Sequence, residues 1–186
     1  MESIILEKNE GNLEEIAQLL LSDHVGAIPC DTIYGISARV GKENEDRIYE
    51  IKKRPQSKSF ITLISLDGLR KSSLIVPDIL YEIYPAPLTA ILMDEEGGTH
   101  AVRVPSDEYM LKLLDLSGPI FSTSVNISGE RSLLTFSDVR TAFDGILDFI
   151  VKSDDVSKGV PSTIVDMTAK PFRLIRMGAY DPHALI

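Results

Sequence analysis

Apolar positions recur along this chain at two different periods. Leu13, Ile16, Ala17 and Leu20 are three or four residues apart, the spacing of one buried helix face, and Asn12 with Glu15 has the form of a capping pair. The same spacing in Ile48 and Ile51 predicts a helix over 46–53, ending near Arg54 because Pro55 disfavours helix in the residue before it. Pro77 suits the first position of a helix to Ile83, which Pro85 and Pro87 then break. A further helix over 108–116 sets Met110, Leu111 and Leu114 on one face, and Ser137 reads as the cap of another to Phe143. Short apolar runs at 25–29, 60–65, 88–93, 100–104, 119–124, 146–151, 163–167 and 172–176 predict strands. The turn-rich segment 94–99 predicts a hairpin between the third and fourth of them. Strands and helices alternate at first, but adjacent strands later require hairpins. The pattern predicts an α/β chain with a mixed parallel and antiparallel sheet beside helices, rather than a purely parallel one.

Composition narrows the class. With 186 residues, 44% hydrophobic and 25% charged, the chain is an ordinary globular protein, and a single domain over 1–186 is expected. A chain of roughly this length can bury a core without disulfides or metals. One cysteine forms no internal pair, which points to a reducing compartment. No apolar run approaches the roughly 18–20 residues that span a bilayer, and the acidic start lacks a basic leader. The expectation is a cytoplasmic protein with no membrane partner. The formal charge of −9 disfavours tight nonspecific binding to nucleic acid, unless a local cluster inverts it.

One segment does invert it. KKRPQSK at 52–58 holds four cations and no carboxylate, where a helix gives way to a loop. Arginine suits bidentate phosphate or carboxylate binding and lysine acts as a mobile point charge. A solvated helix end complementing the helix dipole is the competing reading. STSVNISG at 122–129 ends an apolar strand, and its hydroxyls, amide and backbone N–H groups could take a phosphate or only satisfy their own turn. PCDTIYG at 29–35 offers Asp31 for a cation or amine, and Thr32 and Tyr34 for a polar ligand. The alternative there is that Asp31 caps a turn and Tyr34 is core. Cys30 has no neighbouring histidine in sequence and reads as a small buried residue rather than a nucleophile. Arg103 lies between Val102 and Val104, so it either has a partner or occupies the polar face of an alternating strand. The glycine-rich phosphate loops GxxxxGK[ST] and GxGxxG and the elbow GxSxG are absent, and the three histidines have no ligand spacing, so no protein-held metal is expected.

Taken in order, these segments resemble the YrdC-like family. The matching pieces are PCDTIYG at 29–35, Lys52 and Arg54 with Lys58, YPAPLT at 84–89, VRVP at 102–105, TSVNISG at 123–129, PSTIVD at 161–166 and RMGA at 176–179. The resemblance implies a twisted mixed sheet with flanking helices around a basic hollow. It also implies a synthase joining L-threonine, bicarbonate and ATP into threonylcarbamoyl-AMP and pyrophosphate, with Mg²⁺ as helper, for tRNA modification. A downstream threonylcarbamoyl transferase would take the product. Carried over residue by residue, Lys52, Arg54, Ser124 and Asn126 fall to the ATP phosphates and adenylate, supported by Lys58 and Arg176. Thr32, Arg103 and Ser162 fall to threonine, with Arg103 on its carboxylate. The family is also credited with binding double-stranded RNA or tRNA, the alternative role for the same hollow. Cys30, Ser59, Tyr84, Ala86, Val125 and Met177 depart from the usual Thr, Pro, Trp, Gly, Ala and Pro, so the resemblance extends to the neighbouring YciO-like branch.

Overall fold

The computed structural model describes residues 2–55, 59–155 and 158–186. Ten strands form one sheet: β1 (Ile4–Glu7), β2 (Gly26–Ile28), β3 (Gly35–Arg39), β4 (Ile61–Leu63), β5 (Leu88–Met93), β6 (Thr99–Arg103), β7 (Ile120–Ser124), β8 (Phe149–Lys152), β9 (Thr163–Asp166) and β10 (Arg173–Arg176). The helices are α1 (Leu13–Leu21), α2 (Lys42–Lys52), α3 (Leu66–Arg70), α4 (Ile79–Ile83), α5 (Glu108–Ser117) and α6 (Phe136–Phe143). Strand order is β1-β8-β2-β3-β7-β4-β6-β5-β9-β10. Parallel pairs (β1 with β8, β2 with β8, β4 with β6, β5 with β9) sit among antiparallel ones, so the sheet is mixed, as the pattern predicts.

Side chains alternate across this sheet and build a core on each face. In β8, Phe149 and Val151 join α1 and α5 through Ile16, Leu20, Leu113 and Leu114. Ile150 points the other way, to Ile48 of α2 and Val139 and Phe143 of α6. A third cluster packs Leu80 of α4 against Leu88, Ala90, Val102 and Val165. The Leu13, Ile16, Ala17 and Leu20 stripe is buried as its spacing predicts. Among the described residues no helix is long and apolar enough to cross a membrane.

The local predictions fail where pairing is distant or caps are ambiguous. Asn12 does not cap α1 with its side chain. Its Nδ2 donates to Glu7 O (2.9 Å), while Asn9 Oδ1 accepts from Asn12 N (3.1 Å) over a short 3₁₀ turn. Thr135, not Ser137, caps α6 by accepting from Asp138 N (3.2 Å). Strands β1 and β3 and helix α3 have no counterpart in the prediction. β1 is a short apolar run whose parallel partner β8 lies far along the chain, and β3 is rich in small residues buried on both faces.

Candidate functional site

Near the middle of the sheet, β4, β6, β7, β9 and β10 and the segments after β2 and α2 enclose a cavity of about 180 Å³. Among the described residues Arg54, Arg103 and Arg176 line it, and no carboxylate does. Thr32, Ser124 and Ser162 add hydroxyls. Arg54 and Arg103 each keep a buried Nε–H with no acceptor among the described residues. Buried guanidinium donors without partners are expensive, and an anionic ligand would satisfy them.

Arg103 closes one side. Its Nη1 donates to Thr32 Oγ1 (2.9 Å), and its Nη2 faces Cys30 Sγ (3.2 Å) and Asp31 Oδ1 (3.2 Å). Asp31 serves here as the partner of Arg103, which resolves the burial of that arginine in its apolar strand. Burial opposes the charged form of Asp31, but Arg103, the Cys30 thiol and Ser106 outweigh it and hold the carboxyl below its ordinary value of 3.8. Burial pushes the Cys30 thiol up to about 12, so it stays a thiol. Tyr34 is core: its hydroxyl donates to Val151 O (2.7 Å).

Lys52 lies behind another part of the wall, not in its lining. It is 1% exposed, and its Nζ donates to Ser124 O, to Asn126 O (3.0 Å) and to Asn126 Oδ1 (2.8 Å). Ser124 Oγ donates to the same Oδ1 (2.6 Å), and Asn126 Nδ2 ties down Ile127 O (3.0 Å) and Glu130 O (2.8 Å). The ammonium is thus the hub of the turn that ends β7. Burial first, and Arg54 second, bring its pKa from 10.5 down to about 8. Lys53 takes a left-handed conformation (φ 50°) and ends α2, after which Arg54 turns into the cavity wall. Arg54 Nη2 donates to Ser59 O (3.0 Å), and the guanidinium sits 5.1 Å over the Phe60 ring.

Arg176, at the end of β10, grips Ser162 O through Nε (3.2 Å) and Nη2 (2.8 Å). Burial, then Arg103, lower its pKa. Ser162 Oγ shares a 2.8 Å hydrogen bond with Thr89 Oγ1. Gly178 makes this approach feasible, since a Cβ there would sit 2.3 Å from Pro161 O. Of the residues singled out from sequence, Thr32, Arg54, Arg103, Ser124, Ser162 and Arg176 line one cavity, while Lys52 and Asn126 brace its wall. Lys58 lies outside the described residues. Sequence reasoning missed Asp31 as the partner of Arg103. A carboxylate just after a buried strand and an arginine within an apolar one was the available signal. It also missed that Lys52 is four residues from buried Ile48, on the same helix face.

The chain is similar to several known proteins. The family model described as telomere recombination, covering Sua5, YciO and YrdC, matches residues 18–178. A curated relative from Pyrococcus abyssi, threonylcarbamoyl-AMP synthase, is 36% identical over 168 residues, covering 82% of this chain and 49% of that protein. The chain spans about half the length of that relative and of a Bacillus subtilis one (55%). The solved structure of P. abyssi Sua5 complexed with L-threonine superposes with a TM-score of 0.84 at 30% identity, over 94% of this chain and 57% of that one. E. coli YciO, at 21% identity, has the same fold, with a TM-score of 0.84 over 99% of this chain and 98% of its own. With the family model covering most of the sequence and a similar relative covered along most of this chain, the protein belongs to the Sua5/YciO/YrdC family.

Proposed function

We propose that the chain makes threonylcarbamoyl-AMP from L-threonine, bicarbonate and ATP, releasing pyrophosphate. The observation that carries this reading is the cavity walled, among the described residues, by three arginines and no carboxylate, two of those arginines holding a buried N–H without an acceptor there. The names of the relatives point the same way.

The amine of threonine and bicarbonate form a carbamate, with loss of water. A carbamate oxygen then attacks the α-phosphorus of ATP, the bond from that phosphorus to the bridging oxygen breaks, and pyrophosphate leaves with the electron pair. The carbamate is a weak, short-lived nucleophile, so it must be held close and dry. Arg103, Thr32 and Ser162 take the threonine end. Arg54 and Arg176 face the phosphates, where fixed cations stabilise the charge that grows on the phosphoryl oxygens, and the resemblance assigns Lys58 to the same role. Ser124 and Asn126 shape the adenylate side, and Lys52 acts through the turn it holds together. Mg²⁺, carried by the ATP phosphates, would neutralise part of their charge. The lining offers it no carboxylate, and no cluster of three or more metal-ligating side chains occurs among the described residues, so it fits as a phosphate-bound companion that neutralises charge. The product is a mixed anhydride, which a threonylcarbamoyl transferase acting on tRNA would consume.

Pure protein with ATP, labelled bicarbonate and threonine tests this directly. Pyrophosphate release that requires threonine, and that falls about 100-fold in Arg54→Ala, is expected for loss of one preorganised cation. Release no greater than that of a Lys52→Ala control overturns it. A double-stranded RNA or tRNA binder without turnover would instead retain RNA with a steep salt dependence and release no pyrophosphate.

A further inference from the structure

The guanidinium of Arg103 is held from behind by a carboxylate that is itself immobilised. Asp31 Oδ2 accepts from the backbone N–H of Ser106 (3.0 Å) and from its hydroxyl (3.1 Å), and Oδ1 accepts from the Cys30 thiol (2.9 Å). The side chains of Arg103 and Asp31 are only 5% and 13% exposed, so the 3.2 Å contact between them is shielded from water. Asp31 is absent from the lining of the cavity, whereas Arg103 is part of it. Nη1 of Arg103 donates to Thr32, at the cavity wall, and Nη2 faces Cys30 and Asp31, which leaves further N–H groups of the fork for a ligand. Its Nε–H has no acceptor among the described residues.

We propose that Asp31 is a positioning residue for recognition of the amino-acid carboxylate: it fixes the plane and heading of the Arg103 fork before the substrate arrives. This rests on the reading that Arg103 binds that carboxylate. Arginine ends a long side chain with several rotatable bonds, so a fork left loose would have to be ordered at each binding event, and affinity would fall. A neutral acceptor could hold the fork by one hydrogen bond. A carboxylate also offsets the buried positive charge while the cavity is empty. Ser106 comes three residues after Arg103, so Asp31 joins the segment after β2 to the chain on which the arginine is mounted. Recognition at Arg103 and the shape of the 29–35 segment, including Thr32, then depend on one group.

The test measures L-threonine binding to the full chain by calorimetry, beside the KM values for threonine and ATP. Asp31→Asn keeps the shape and removes the charge. Support groups of this kind are worth about 10- to 100-fold in the affinity of the group they orient. The expected result is a threonine Kd and KM raised about 10-fold or more, an ATP KM within about twofold of wild type, and partial recovery in Asp31→Glu. Ser106→Ala, which removes one of the two Ser106 contacts, should raise the threonine KM about two- to threefold. A folded Asp31→Asn with unchanged threonine affinity overturns the proposal. So does an equal loss for threonine and ATP, which would mark a general structural defect. If Asp31→Asn does not fold, Ser106→Ala decides, and a threonine KM equal to wild type overturns the proposal. If wild type itself binds no threonine, the synthase reading fails separately. The ¹⁵N resonance of Arg103 Nε then decides positioning: a broadened, shifted signal in Asp31→Asn supports it, and an unchanged one overturns it.

Discussion

Arg103 and Lys52 are both almost fully buried, at 4% and 1% exposure, and they support different parts of the cavity, Arg103 on β6 and Lys52 under the turn after β7. Arg103 is matched by a carboxylate, whereas Lys52 is held by three neutral oxygens, Ser124 O, Asn126 O and Asn126 Oδ1. A matched pair keeps its charge but makes each partner dependent on the other. An ammonium among carbonyl dipoles leaves no stranded counter-charge if it is removed, and it gives up its proton more readily. That second property shows in the pKa of about 8 for Lys52. One wall therefore carries a fixed charge and the other a charge that responds to pH within reach of ordinary assays.

The largest expected effect breaks the matched side. Arg103→Met would leave Asp31 buried and unpaired, and breaking a buried pair in this way costs about 3–5 kcal/mol. Urea unfolding at pH 7 measures it. The loss should shrink near pH 4, because an Asp31 without its cation can take up a proton and shed the buried charge. A loss below about 1 kcal/mol at pH 7 would show that the pair is not a matched buried one.

Lys52→Met tests the other side and should destabilise less, by about 1–2 kcal/mol. Three oxygens lose a donor, but a desolvated charge leaves with it. Turnover should fall about 100-fold, since the Ser124–Asn126 turn loses its hub. Equal stability losses in the two variants would erase the contrast between matched and dipole-held cations.

The third effect is a pH dependence. Folded protein releases the Lys52 proton near pH 8 and unfolded chain near the ordinary value of 10.5, so between those values the unfolded state binds more protons. Stability of wild type relative to Lys52→Met should therefore rise from pH 8 to 10.5, by an amount on the order of 3 kcal/mol. Turnover should fall over the same range, because a neutral amine has fewer donors than the acceptors around it. A difference between the two proteins that stays flat across that range would refute the low pKa.

How far the sequence revealed each wall follows from the range of the interactions. The helical stripes of α1 and α5 and the hairpin of β5 and β6 are local patterns, and they were legible. β1 was not, because its strand partner among the described residues, β8, arrives near the far end of the chain. The polar and cationic side chains of the cavity were legible through motif order, since Thr32, Arg54, Arg103, Ser124, Ser162 and Arg176 converge there. What each side chain does there was less so. Lys52 sits in a run of cations that suggested an outward cluster, yet its spacing from Ile48 turns it inward to carbonyls supplied more than seventy residues later. Asp31 offered a choice between cap and ligand, and its actual partner lies on a strand two neighbours removed in sheet order from β7.

Arg176 extends the contrast at the smallest scale. Like Lys52, it is held by a neutral acceptor, the carbonyl of Ser162, but by two prongs of a planar fork at 3.2 and 2.8 Å. Arg176→Lys keeps the cation and loses one prong, so about 0.5–1 kcal/mol of stability should go, the net value of one hydrogen bond. The effect on catalysis should separate by substrate. A compact ammonium still attracts phosphate, so the ATP KM should rise only about two- to threefold. Ser162 would lose part of its anchor and keep the bond to Thr89, so the threonine KM should move by a similar small factor. A change confined to ATP would mean that the Ser162 carbonyl is held by the backbone alone. A change of more than about tenfold in threonine KM would mean that Arg176 belongs, with Arg103, to the amino-acid side of the cavity.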